Sequence, residues 1–294
     1  FKIFLSYSLI TLSIFIILNI LNIRSFNSLN LAMSIISSGG FLPTNSLSNI
    51  LTNNSQIIIF SFLMLTSFFS IFLSYNLLFI KNRNFNFFNE DIHLFFYFLF
   101  LLIVFFVFLD FDNNFIELFL ALTSSISNIG FSLNNTSTNL SFVFLILVII
   151  GGSFFSTSSG VRFLKVYSLF KYSINEILSY SRPKNIYINK HLFSKDFFQL
   201  NEIYKYFLTI VTFIISLFLL CGLLTISGID FENSFKLSIL TLMNTVNSSM
   251  YGLNEFSFHD LHFLTKYCLI FFMVIGRIEL LTILLLMKKF LFKN

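Results

Sequence analysis

Ile150-Gly151-Gly152-Ser153-Phe154-Phe155-Ser156-Thr157-Ser158-Ser159-Gly160 interrupts an apolar stretch that runs from Leu140 to Phe170. A helix rises 1.5 Å per residue and needs about 20 apolar residues to cross a hydrocarbon core of roughly 30 Å. The stretch is long enough to cross, but Gly151 to Gly160 is a run of Gly, Ser, Thr and Phe. Holding those residues in a straight helix would cost several kcal/mol of propensity. The span therefore reads as broken, either a kink packed on its neighbours or a mobile loop inside the membrane.

Five further segments reach or approach spanning length: Ile3–Ile23, Ile57–Ile80, Ile92–Leu109, Tyr206–Ile226 and Phe263–Met287. The first is too long and lacks the cleavage site of a signal peptide. Composition agrees with a membrane protein. Of 294 residues, 56% are hydrophobic and 11% charged, less than half the roughly 25% charge of a soluble domain. A soluble enzyme, a disordered chain and a fibrous protein are excluded. The 46 Phe read as compositional bias rather than as a site. Cys221 and Cys268 lie in separate apolar segments and read as small buried hydrophobes. His259 and His262 lack further ligands for a metal.

Between spans one and two, three and four, and five and six lie Ser/Asn/Thr-rich stretches, each holding a short apolar run: Leu29–Ile36, Phe115–Ile126 and Phe235–Val246. These are too short to cross and suit re-entrant half-helices. Each ends in a small or polar cluster: Ser37-Ser38-Gly39-Gly40, Ser127-Asn128-Ile129-Gly130 and Asn244-Thr245-Val246-Asn247. The chain thus repeats span, half-helix, polar turn, span three times, which is a fold-level signal. The expected units are a hairpin over 1–83, a hairpin with a broken second helix over 84–171, a basic cytoplasmic linker over 172–202 and a hairpin over 203–294.

Charge orients the hairpins. The side with the inter-repeat loops and both termini carries 14 Lys and Arg against five Asp and Glu, and the other side three against seven. The positive-inside rule puts the loops and termini in the cytoplasm and the half-helices on the outer side. In a soluble protein the net charge of +5 would suggest nucleic acid; here it is distributed as a membrane protein requires, so lipids and not nucleic acid are expected partners. A half-helix entering from outside points its C-terminal carbonyls and the negative end of its dipole at the membrane centre. Carbonyls in such a turn can replace the hydration shell of a monovalent cation, and glycine permits the backbone angles this needs. The sixth span carries Gly276-Arg277-Ile278-Glu279, and an intramembrane Arg is functional by default. No phosphate loop, nucleophile elbow or zinc-protease motif argues for an enzyme or a bound cofactor.

Ser38-Gly39-Gly40-Phe41, Ile129-Gly130-Phe131-Ser132, the run from Ile150 through Gly160-Val161-Arg162-Phe163-Leu164-Lys165-Val166, and Gly276-Arg277-Ile278-Glu279-Leu280 together resemble the Trk/Ktr/HKT superfamily of potassium transporters. The resemblance is to the bacterial Trk-type membrane subunit and covers the chain in order. It implies an all-α integral membrane fold, three of the four hairpins of a pseudo-fourfold cation pore. It implies potassium uptake across the plasma (inner) membrane, channel-like or by symport, with potassium held by filter carbonyls. The filter would comprise Ser37, Ser38, Gly39, Gly40, Ser127, Asn128, Ile129, Gly130, Asn244, Thr245, Val246 and Asn247. The gate would comprise Gly151, Gly152, Ser153, Ser156, Thr157, Ser159 and Gly160, with Arg277 as a positive barrier. Such proteins are similar in forming homodimers and in pairing with a cytosolic nucleotide-binding regulatory subunit, which would touch the basic loop Lys171 to Lys205.

The chain departs from this pattern twice. It shows three hairpins, so a native upstream segment is expected to supply the fourth. Its last filter turn reads Asn244-Thr245-Val246-Asn247, with Asn247 aligned to the family glycine. The alternatives are a sodium-permeable or non-selective transporter, or a subunit that assembles without conducting.

Overall fold

The computed structural model describes residues 2–44, 46–70, 87–108, 115–133, 138–180, 200–247, 249–253, 258 and 261–278. Among them are the helices α1 (Lys2–Ile20), α2 (Ser25–Ser37), α3 (Asn54–Phe68), α4 (Phe87–Phe108), α5 (Phe115–Ile126), α6 (Thr138–Ile149), α7 (Phe163–Ser179), α8 (Leu200–Ile226), α9 (Phe231–Leu242) and α10 (Phe263–Ile278). The fold is all-α, and the described residues make no strand beyond one isolated bridge between Ile150 and Val161.

α2, α5 and α9 are the half-helices. At 13, 12 and 12 residues they reach about 18–20 Å, well short of the hydrocarbon thickness. α5 has the bounds expected from sequence, whereas α2 and α9 each begin four residues earlier than their apolar runs. Their first turns are polar because the leading N–H groups have no helical acceptor. Arg24 and Asp230, the residues before α2 and α9, share an extended backbone (φ −52, ψ 133 and φ −55, ψ 144).

Each half-helix packs within its own hairpin: α2 on α1 and α3, α5 on α6, and α9 on α8 and α10. α5 also packs on α3 and α9 on α6, so each of these two half-helices leans on the returning span of the preceding repeat. One contact used twice makes the arrangement rotational. The apolar interior follows the same logic. Ile14, Leu18, Leu31, Ile35 and Phe60 of the first repeat form one cluster with Leu120 and Ile129 of the next. Outward, Phe96, Phe100, Ile103 and Val107 form a stripe along α4, each more than half exposed. Such a stripe on a water-facing surface would drive aggregation, and it suits lipid. Glu90–Val107 and Asn201–Ile226 are long and apolar enough to cross a membrane.

The fourth span is two helices, α6 and α7, separated by residues 150–162. α7 runs on to Ser179, past the expected start of the linker at 172. Three charges counted on the cytoplasmic side are buried in the protein: Glu90, Asp91 and Lys165 are 1%, 3% and 8% exposed. Residues 71–86, 181–199 and 279–294 lie outside the described set. Expectations resting on Lys81, Arg83, Glu279 and most of the basic linker fall there.

Candidate functional site

The half-helices end alike. Ser38, Asn128 and Asn244 each adopt a left-handed backbone, with φ of 50, 58 and 52. Each donates its N–H to the carbonyl three residues back (Ile35, Ser125, Thr241), and the next residue donates to the carbonyl five back (Ser34, Ser124, Leu240). This paired closure terminates a helix and satisfies two of its last carbonyls. It also sets a common register. Ser28 and Ser234, ten residues before their caps, both send Oγ back to a carbonyl five residues earlier (Ile23 and Ile229, at 3.1 and 3.2 Å).

Counting from the caps corrects one expectation. Gly40 and Gly130 stand two residues beyond Ser38 and Asn128, and the residue two beyond Asn244 is Val246. Asn247 instead falls level with Phe41 and Phe131. The ends of polar clusters do not define a register, because only the hydrogen-bonded closure tells where the helix stops.

The three turns meet. Gly40 and Gly130 have φ of +69 and +91, where a side chain is disfavoured. A methyl group on Gly40 would lie 2.1 Å from the carbonyl oxygen of Ile129, and one on Gly130 would lie 2.3 Å from that of Val246. The second-repeat turn is thus pressed on the third, and the third on the fourth, backbone to backbone. Ser127, Asn128 and Ile129 are fully buried and Thr245 nearly so, while Ser37, Gly39, Val246 and Asn247 keep partial exposure. Two of the caps are tied outward. Asn128 donates its Nδ2 to the carbonyl of Val148 in α6 (3.1 Å), and Asn244 donates its own to that of Met273 in α10 (2.9 Å).

Residues 150–162 form a folded loop with its own bonds. Gly151 donates to the Val161 carbonyl (2.9 Å), Val161 to that of Ile149 (3.0 Å), and Gly152 to the Ser158 hydroxyl (2.8 Å). The loop is stitched to α3: Ser153 and Ser158 donate their N–H groups to the carbonyls of Phe68 and Ser67, and Thr157 sends its hydroxyl to Ser67 at 3.4 Å. Two charged side chains hold it. Arg162 reaches back to the carbonyls of Ser153, Ser156 and Ser158 and to the Ser156 hydroxyl, all at 3.2 Å. Glu90, at the start of α4, accepts the Phe154 N–H with both carboxylate oxygens (3.0 and 3.2 Å). A buried carboxylate and a guanidinium sharing one loop compensate charges that would be costly alone.

Arg277 joins the two parts. It donates to the Ser159 hydroxyl (2.6 Å) and to the carbonyl of Ser37, the last residue of α2 (3.1 Å). It therefore bridges the loop to the negative end of a half-helix. The adjoining Gly276 lets α10 approach α9 closely, since a methyl there would lie 2.0 Å from the Leu242 carbonyl.

Sequence reading nominated the polar turns and the Gly/Ser run, Ser158 within it, but gave no sign that Glu90 and Arg162 hold the loop. A carboxylate opening an apolar span was the available signal for Glu90.

No protein-family model matches the sequence, and no curated protein matches it. Among solved structures, the crystal structure of the potassium transporter TrkH from Vibrio parahaemolyticus superposes with a TM-score of 0.79 at 18% sequence identity. The chain has the TrkH fold. The match covers 94% of this chain and 61% of that one, so the chain spans less than two thirds of TrkH.

Proposed function

We propose that the protein conducts a monovalent cation, potassium first, through a filter lined by residues 37–40, 127–130 and 244–247 in the membrane. One observation carries this reading: three left-handed turns in one register meet backbone to backbone, with glycine at both sites where a side chain would strike a carbonyl. Carbonyl-lined turns at the inner ends of half-helices are suited to a dehydrated cation, which meets oxygens and helix dipoles in place of water. The TrkH fold supports the same reading, since that protein is a potassium transporter. The loop 150–162, held to Arg277, is the proposed gate, and a guanidinium at that point opposes cations by charge. A fourth hairpin from outside these residues completes the pore in this proposal. The assembly is proposed as a homodimer in the plasma (inner) membrane, with a cytosolic nucleotide-binding regulatory subunit on its basic cytoplasmic face and the half-helices entering from outside.

A specific observation favours weaker selectivity as the second reading. Val246 stands level with Gly40 and Gly130 and is not among the residues of positive φ, so the fourth turn departs from the other two. The deciding experiment is rubidium and sodium uptake by liposomes holding the full-length protein. Rubidium uptake blocked by excess potassium and not by sodium establishes the potassium reading. Equal passage of both ions establishes the sodium-permeable one. No flux of either from folded protein overturns both and leaves a non-conducting subunit.

A further inference from the structure

We propose that Asn128 and Asn244 are positioning residues that pin two filter turns to the spans behind them, and that the Asn128 pin also ties the filter to the broken loop. The inference rests on the cation-pathway reading for its effect on ions, and on geometry alone for the pin.

The two asparagines occupy the same place in the third and fourth repeats. Both are left-handed caps, and both donate Nδ2 to a carbonyl of the returning span of their own hairpin. Asparagine tolerates this backbone region better than most residues. Backbone conformation alone would have been met equally by glycine, so the outward hydrogen bond is the second property the position uses. Ser38, at the same place in the second repeat, makes no such bond: its hydroxyl is buried without a partner. Its turn is held instead by Arg277 on the neighbouring Ser37 carbonyl.

The two acceptors differ in kind. In an unbroken helix the Val148 carbonyl would receive the N–H of Gly152, four residues on. Here Gly152 gives its N–H to the Ser158 hydroxyl, because the helix stops at Ile149. Asn128 takes the carbonyl the break releases. Met273 lies inside the continuous helix α10, so Asn244 adds a donor to a carbonyl of an intact ladder. Were the loop to wind back into helix, Gly152 would compete with Asn128 for Val148, and the third filter turn would lose its tie. Loop state and filter geometry thus meet at one oxygen in the third repeat and not in the fourth.

The test uses full-length protein and the variants Asn128→Gly, Asn128→Asp, Asn244→Gly and Ser38→Gly. Glycine keeps the left-handed backbone and removes the amide; aspartate keeps the shape and replaces the donor with an acceptor. Hydrogen–deuterium exchange of residues 149–162 reads the pin without requiring transport. Both Asn128 variants are expected to speed exchange there by about three- to tenfold, the worth of one hydrogen bond, with Asn244→Gly and Ser38→Gly at wild type. In liposomes, all three asparagine variants are expected to raise the sodium-to-rubidium flux ratio, and Ser38→Gly serves as a control for the exchange measurement alone. Wild-type loop exchange in both Asn128 variants overturns the pin. An equal rise in Asn244→Gly overturns the coupling, since the effect is then general loosening. An unchanged ion ratio in all three asparagine variants overturns the filter role. If wild-type protein passes neither ion while the Asn128 variants still loosen the loop, the pin stands and the transport reading falls.

Discussion

The meeting of the three turns and the loop 150–162 both close glycine on carbonyl oxygen, and they differ in the number of charged side chains that hold them. At the turns, shape is enforced by volume: Gly40 and Gly130 leave no room for one methyl group against neighbouring carbonyl oxygens. At the loop, a methyl group on Gly151 or Gly152 would likewise lie 2.2 Å from the carbonyl oxygen of Ser159 or Phe68, and exchangeable polar bonds with Arg162, Glu90, Ser158 and Arg277 are added. Hydrogen bonds to hydroxyls and carbonyls can be traded for others at a net difference of about 1 kcal/mol each. Glycine packing thus constrains both regions, and the loop carries in addition a larger set of bonds that can be exchanged.

The comparison breaks most sharply at Gly130. Gly130→Ala places a methyl group on the Val246 carbonyl in a left-handed backbone, and rubidium uptake is expected to fall to background while membrane insertion is retained. Unchanged flux would mean that the turns do not define the path. Next in size is Arg162→Met, which strips one donor group from four acceptors. Leaving buried acceptors unmet costs about 1–3 kcal/mol, so thermal unfolding shifts down and residues 150–162 become open to proteolysis. If the loop resists protease as before, the polar bonds are not what shapes it. Arg277→Ala removes the bridge between Ser159 and Ser37, and resting cation flux is expected to rise with the fold preserved. A fall in flux would assign Arg277 to the filter rather than to the gate. The smallest effect is expected at the Glu232–Lys236 pair of α9. A hydrogen bond from Lys236 holds the Glu232 carboxyl below its usual range, so its contribution is present above that range and lost on acidification through it. The carboxylate is exposed, so Glu232→Gln should leave melting temperature and flux at wild type across that pH interval.

Legibility from sequence followed the same division. Elements whose existence depends on local composition were readable. α5 was bounded to the residue, and the interruption of the fourth span was placed by its Gly/Ser run. The filter register was not readable to the residue. By its place in a polar cluster Asn247 is the counterpart of the glycines, whereas the cap at Asn244 makes that counterpart Val246. Nor could sequence tell that Glu90 and Arg162, 72 positions apart in the chain, hold one loop between them.

By itself the sequence determined a membrane chain of three repeated hairpins, because hydrophobic length and charge sorting act on each segment separately and need no knowledge of its neighbours. Tertiary structure alone decided which backbone oxygens face which glycines, which carbonyl the broken helix surrenders to Asn128, and where Arg277 lands. Those are contacts between residues up to 240 positions apart. They arise from rotation of one repeat against the next, a relation that no local window of sequence encodes.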